Sequence, residues 1–213
     1  GREYSPNELV ESDSASCAEI IWELLLDMGA ELDPEMADAI YVGTSSDTGC
    51  FRYANTDVHT FDCAADCTAA GAQVFEWNQR LFETHSLAKL RIQGWMAENS
   101  RFLDGGKLVI CAIPKAVEER LGVTEDDMDN ISGYLRTIEG VKMAATLRQQ
   151  TDGAVKASVR ALPGWDAAAV CAKFGGGGHK GAAGATVNMT MEEAKEAFAA
   201  AMAELFEQYR QVL

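Results

Sequence analysis

The stretch KFGGGGHKGAAGATV, residues 173–187, sets four consecutive glycines beside one imidazole and between two lysines. A glycine run costs conformational entropy on folding, so it needs a reason. Three readings compete: a linker, a packing device that lets two elements approach, or a loop that offers bare backbone to a ligand. The linker reading fits the position badly, because the run lies between an expected helix and an expected strand, not at a composition boundary. The packing reading is sound wherever glycines sit next to a strand. The ligand reading is the favoured one. Consecutive glycines, here Gly176, Gly177 and Gly178, can turn several N–H groups toward one anion as a nest. His179 and Lys180 add donors at the rim, and Arg160, on the polar side of a preceding strand, carries a fork suited to phosphate.

Two other groups of residues could do chemistry. His59, Cys63 and Cys67 recur every four residues and form one stripe on a helix. A metal site there lacks a second ligand pair, so small buried side chains are the favoured reading. Asp47 lies in YVGTSSDTGCFRY, where small and polar residues break a helix. By residue type alone it is a turn residue or one ligand of a cation.

Composition narrows the classes. The chain has 213 residues, 47% of them hydrophobic and 24% charged, which is enough to bury a core and argues against disorder. No stretch reaches the roughly 18 apolar residues a membrane span needs, and the polar, acidic start is unlike a secretory signal. Six scattered cysteines without a CxxC pair suit reduced thiols and a cytoplasmic location. The net charge is −15, unfavourable for gripping long nucleic acid through its phosphates. That charge is uneven: residues 1–78 hold 16 acidic against 2 basic residues, and residues 79–213 hold 17 against 16. Within residues 153–190, around the glycine run, Lys156, Arg160, Lys173 and Lys180 stand against Asp166 alone. An acidic half is mostly solvated surface, and it is also what a cation site looks like.

The elements that must hold these residues follow from periodicity. Ser16-x-x-Glu19 opens a helix with Ile21, Leu24, Leu25 and Met28 at helical spacing, stopped by Gly29. Asp33-Pro34 opens a second helix and Asp57 a third, ending near Gly71. Residues 76–100 predict a long helix with a break near His85–Ser86, a connector between two halves. After Gly106 the period changes. KLVICAI predicts a strand over 107–113, and Val141, Met143, Ala145 and Leu147 mark a half-buried strand. Asp152-Gly153 predicts a hairpin turn. The returning strand puts Val155, Ala157 and Val159 on one face and Lys156, Ser158 and Arg160 on the other. Asp166 starts a short helix into the glycines, and Thr190-x-x-Glu193 caps the last helix.

SVRALPGWDAAAVCAKFGGGGHKGAAG resembles the signature of the DHH-associated domain, with its arginine strand, short helix and GGGH-x-x-AAG loop. YVGTSSDTGCFRYANTDVHTFDCAADCTAAGA resembles the DTG-x-F block, the last motif of the DHH phosphoesterase domain. The resemblance covers nearly the whole chain and is closest to nanoRNase-type members, which act on short oligoribonucleotides and pAp. It implies an α/β fold: a C-terminal remnant of a DHH domain at 1–78, a helical connector at 79–100, and a smaller α+β DHH-associated domain with a mixed sheet at 101–213. It implies a pair of manganese ions with Asp47 as one ligand, and a substrate held by Arg160, Gly176, Gly177, Gly178 and His179. Ala161 follows Arg160 where the family often has serine. The DHH triad and the earlier aspartate-rich motif do not occur in the 213 residues, so the expectation is a fragment inactive by itself. Its partner would be short RNA or a small nucleotide, and a homodimer stays open. A non-catalytic nucleotide-binding module and a single-strand exonuclease of the RecJ kind are the alternatives.

Overall fold

The computed structural model describes residues 8–210. Residues 1–7 and 211–213, expected at the outer ends of the two domains, lie outside them. The described residues fall into two compact units that divide between Thr84 and His85.

The first unit is helical. Helix α1, Cys17–Asp27, is capped by Ser16, whose side chain accepts from Glu19 N at 3.1 Å. The Glu19 carboxylate reaches back one residue further than a capping box requires, accepting from Ala15 N at 2.6 Å. Helix α2, Pro34–Asp47, has Pro34 in its first turn and Asp33 as cap. It crosses α1 at Gly43, where a Cβ would stand 2.6 Å from that of Ala18. Helix α3, Val58–Ala69, starts at a capping box of Asp57 and Thr60. Trp22, Ala37, Ile40, Tyr41, Cys63 and Cys67 form the core between them. Helix α4, Val74–Asn78, and a π turn at Gln79–Glu83 end the unit, and Tyr41 Oη donates to Asn78 at 3.0 Å.

The second unit is a six-stranded mixed sheet in the order β1-β2-β3-β4-β6-β5. The strands are β1 (Arg101–Leu103), β2 (Leu108–Ile113), β3 (Met143–Gln149), β4 (Val155–Ala161), β5 (Gly177–His179) and β6 (Ala182–Val187). Only β2 and β3 run parallel. The crossover between them carries α6 (Lys115–Leu121), α7 (Glu125–Met128) and a 3₁₀ turn at Ile131–Thr137. One face packs under α8 (Ala167–Ala172) and α9 (Met191–Arg210), with Phe198 fully buried and stacked on Phe174 at 4.0 Å. The other face is covered over β2 and β3 by the crossover and by α5 (Leu87–Asn99), through Ile92, Met96, Met128, Ile131 and Leu135. Helix α5, expected inside a connector, therefore packs on this sheet.

Strand β3 corrects the half-buried reading. It is covered on both faces, as parallel strands are. Thr146 is buried, and Arg148 is drawn into an ion-pair cluster: its Nε lies 2.8 Å from Glu118 Oε1 and its Nη2 3.1 Å from Glu125, while Lys115 Nζ lies 3.0 Å from Glu118. Burial pushes the Glu118 carboxyl up, but Arg148 and Lys115 outweigh it and hold it below its ordinary value of 4.5. A carboxylate with a lowered folded-state pKa adds stability above its ordinary value and loses it as pH falls through the folded-state value. Unfolding midpoints followed from pH 7 to pH 3 should therefore drop below pH 4.5, and the drop should be shallower in Glu118→Gln. Equal slopes in the two proteins would remove Glu118 from the acid response.

Candidate functional site

The glycine run is built one residue at a time. Helix α8 starts at Asp166, whose side chain accepts from Ala169 N at 2.9 Å. It ends at Ala172 with Lys173 as cap, and the turn that follows closes at Gly175, whose φ of 72° is left-handed and suits glycine. Gly176 N then donates to Cys171 O at 3.0 Å. A Cβ on Gly176 would stand 2.2 Å from Gly184 O, and one on Gly178 would stand 2.6 Å from Ala182 O. Both glycines are thus demanded by the approach of β5 to β6. At Gly177 a Cβ would meet nothing within 4 Å. The run is accordingly a helix exit followed by an edge strand, and the expected anion nest is replaced by extended backbone. The turn beyond it is tied down by Ala161 N to Gly181 O at 3.0 Å and Ala167 N to Lys180 O at 2.7 Å.

Sheet register brings the expected side chains together. Ala182 pairs with Arg160 on one side and with His179 on the other. Residues directly opposite in antiparallel strands share a face, so Arg160 and His179 flank the small side chain of Ala182. Two strand spacings put their Cα atoms about 10 Å apart. The next row is Ser158, Gly184 and Gly177, and the row beyond it holds Lys156 and Thr186. This is the face opposite α8 and α9, beyond the part that the crossover covers. Arg160 Nη1 donates to Val159 O at 3.2 Å. Burial pushes the Cys171 thiol up to about 11, against the opposing charge of Arg160. Lys173, expected in the basic zone, is held instead by Glu204 on α9 at 2.6 Å.

Ser158 was expected on this face with Lys156 and Arg160, whereas Gly184 and Thr186 were not singled out by sequence reasoning. Their signal was the alternation in AAGATV, where Ala183, Ala185 and Val187 are buried and the residues between them are not.

Asp47 belongs to the first unit. It closes α2, its carboxylate is exposed, and its carbonyl accepts from Asn55 Nδ2 at 3.3 Å. The next turn holds Gly49, Cys50 and Phe51 at φ of 57°, 59° and 61°. Two non-glycine residues in the left-handed region are costly and persist only where their surroundings hold them. Here the Thr48 hydroxyl accepts from Phe51 N at 3.1 Å, and the Tyr53 ring fills the space beside Gly49. Among the described residues no three His, Cys, Asp or Glu side chains come together as a metal site. One carboxylate is too little for a two-metal centre, so these residues do not by themselves fit one.

The stripe of His59, Cys63 and Cys67 does not converge on one point either. His59 Nε2 sits 2.6 Å from Glu23 Oε1, and its ring lies 5.0 Å from that of Trp22. Cys63 and Cys67 are fully buried. Their mutual hydrogen bond raises the Cys63 thiol, as does burial, and lowers that of Cys67.

Residues 105–208 match the DHHA1 domain. The chain is 33% identical over 189 residues to a bifunctional oligoribonuclease and PAP phosphatase of Thermus thermophilus, covering 88% of this chain and 56% of that protein. A protein of the same name from Bacillus subtilis is 27% identical, with 87% and 61% covered. The chain thus spans somewhat more than half the length of these curated relatives. In fold it is similar to a crystal structure of an exopolyphosphatase-related protein from Bacteroides fragilis, at a TM-score of 0.89 and 22% identity, covering 98% of this chain and 63% of that one.

The glycines can be told apart by experiment. Gly176→Ala and Gly178→Ala should each lower stability by about 1–3 kcal/mol through overpacking. Gly177→Ala should melt like the parent, since the space is open and the backbone ordinary. Thermal unfolding of the three variants is the check, and equal losses at all three positions would contradict this division.

Proposed function

Because the chain belongs to the DHH family, with a DHHA1 domain at 105–208 and nanoRNase-type relatives, we propose that the whole protein is a phosphoesterase acting on short oligoribonucleotides and on 3′-phosphonucleotides such as pAp. The substrate's terminal phosphate or base lies on the face between Arg160 and His179. The observation that carries this reading is the register at Ala182, which sets a guanidinium and an imidazole on either side of a small residue with open backbone at Gly177. Arg160 binds two phosphate oxygens with its fork. His179 donates a hydrogen bond or stacks on a base. The backbone at Gly177 lets the ligand approach without a side chain in the way.

Manganese enters the proposal for the whole protein through Asp47, the one ligand position this chain offers. The triad that would complete the site does not occur in the 213 residues. A second reading follows for the chain by itself: it holds a nucleotide without turning it over. Six free cysteines, four of them buried, suit a reducing cytoplasm. No helix among the described residues is long and apolar enough to cross a membrane.

Calorimetric titration of the chain with pAp tests the binding site. A charged hydrogen bond contributes about 1.5–3 kcal/mol, so Arg160→Ala should weaken binding by roughly ten- to a hundredfold. His179→Ala should weaken it as well, and Gly177→Val should do so without loss of fold. Unchanged affinity in all three would make the loop a packing device only. Purified chain with manganese should hydrolyse neither pAp nor a short RNA. Turnover that disappears in Asp47→Ala would overturn the inactivity and assign the metal ligand together.

A further inference from the structure

Four residues before Arg160, on the same strand and the same face, stands Lys156. Its neighbour across β3 is Arg148, and its neighbour across β6 is Thr186. Like charges directly opposite in a sheet repel each other. On the Arg148 side that repulsion is offset. Glu118 and Glu125 take up the guanidinium, and with Lys115 the four side chains form a neutral cluster. The Lys156 side chain is exposed and makes no hydrogen bond or ion pair among the described residues. One positive charge on this face is therefore left without an acidic partner.

The ground between Lys156 and Arg160 is low. It is the row of Ser158, Gly184 and Gly177, in which only a serine hydroxyl rises above the sheet. Gly184 is exposed, and the space beside Gly177 is open. The Cα atoms of Lys156 and Arg160 lie about 13 Å apart, four residues along one strand. One phosphate does not span that distance, and neither do two phosphates on a single ribose. A strand of two or three nucleotides does, with a sugar or base lying over the glycine row.

We propose that Lys156 is a second anion subsite, which holds an inner phosphate of a single strand whose end is bound at Arg160 and His179. It favours short oligonucleotides over a mononucleotide bisphosphate. The inference rests on the nucleotide reading of the Arg160–His179 face and adds a measure of ligand length to it. Thr186, opposite Lys156, offers a hydroxyl to the same phosphate.

The test measures binding of pAp, pApA and pApApA to the parent chain and to Lys156→Ala, Lys156→Arg, Arg160→Ala and Lys89→Ala at several salt concentrations. Lys156→Ala should leave pAp within about twofold. It should weaken the two longer ligands by roughly three- to tenfold at low salt, between the values for an exposed pair and a charged hydrogen bond. For those ligands the slope of log affinity against log salt should become shallower by about 0.7, one phosphate contact fewer on a single strand. Lys156→Arg should restore the parent behaviour, and Lys89→Ala on α5 should match it throughout. If Lys156→Ala weakens all three ligands equally, or none, while Arg160→Ala weakens all three, the second subsite is overturned and the nucleotide reading stands. If Arg160→Ala changes nothing, or no ligand binds the parent chain, the nucleotide reading itself fails and the subsite with it.

Discussion

The backbone of β5 lies so close to β6 that no side chain fits at residue 176 or 178. The candidate site depends on this approach. It closes the end of the sheet, sets His179 opposite Ala182, and so brings an imidazole from an edge strand to the same row as Arg160 two strands away. It also explains why glycine entropy is spent here, at about 0.5–1 kcal/mol per residue relative to alanine. One glycine closes the turn after a helix, two permit close packing, and Gly177 has open space beside it with an ordinary backbone. On the proposed reading, packing and ligand binding are divided among neighbouring positions and do not compete as explanations for the run.

A second constraint decides where that open backbone can be used. The sheet has two faces, and helices cover one of them completely enough to build the larger core. The other face is covered only over β2 and β3, because a parallel pair needs a crossover and the crossover must lie somewhere. Beyond it, β4, β6 and β5 are joined without helices on that side. A half-covered sheet leaves a step, with the 3₁₀ turn at Ile131–Thr137 packed beside β4 and a low floor past it. Alanine and glycine on β6 keep the floor low, and polar side chains from β4 line its edge.

Local chemistry was legible in the sequence, and pairing was not. The caps at Ser16, Asp33, Asp57 and Asp166 could be read because capping involves residues within one turn. The faces of β4 could be read because Val155, Ala157 and Val159 alternate strictly with polar residues. The break before Ser86 also fell where expected, between the π turn and α5. Strands β1 and β5 have three residues each and leave no period to detect. The parallel pairing of β2 with β3 joins residues 35 positions apart, Leu108 with Met143 through Ile113 with Arg148, and the crossover that bridges them was not anticipated. For that reason β3 looked half-buried: Thr146 and Arg148 are polar in type, yet one lies under the crossover and the other is neutralised by Glu118 and Glu125. The nest was a reasonable use for four glycines, but β6 offered their backbone a strand partner.

Charge raises an apparent conflict, since a chain of net charge −15 carries a face suited to anions. The conflict resolves by distance and by partners. Lys173 and Arg148, at either side of the site, are held by Glu204 and by Glu118 with Glu125, so they add little to its field. Lys156, Arg160 and Lys180 lie on or next to the open face, and the acids nearest in sequence accept from backbone, Asp152 from Ala154 N and Asp166 from Ala169 N as the cap of α8. At about 0.1 M salt, charges more than roughly 10 Å away are largely screened, so a ligand of one to three nucleotides experiences chiefly this local cluster. Most of the net negative charge lies in residues 1–78, and residues 79–213 hold 17 acidic against 16 basic residues, so the part of the chain that carries this face is close to neutral. On the proposed reading, an anionic ligand meets this local cluster and not the net charge of the whole chain, and the short floor between Lys156 and Arg160 matches a ligand of few nucleotides.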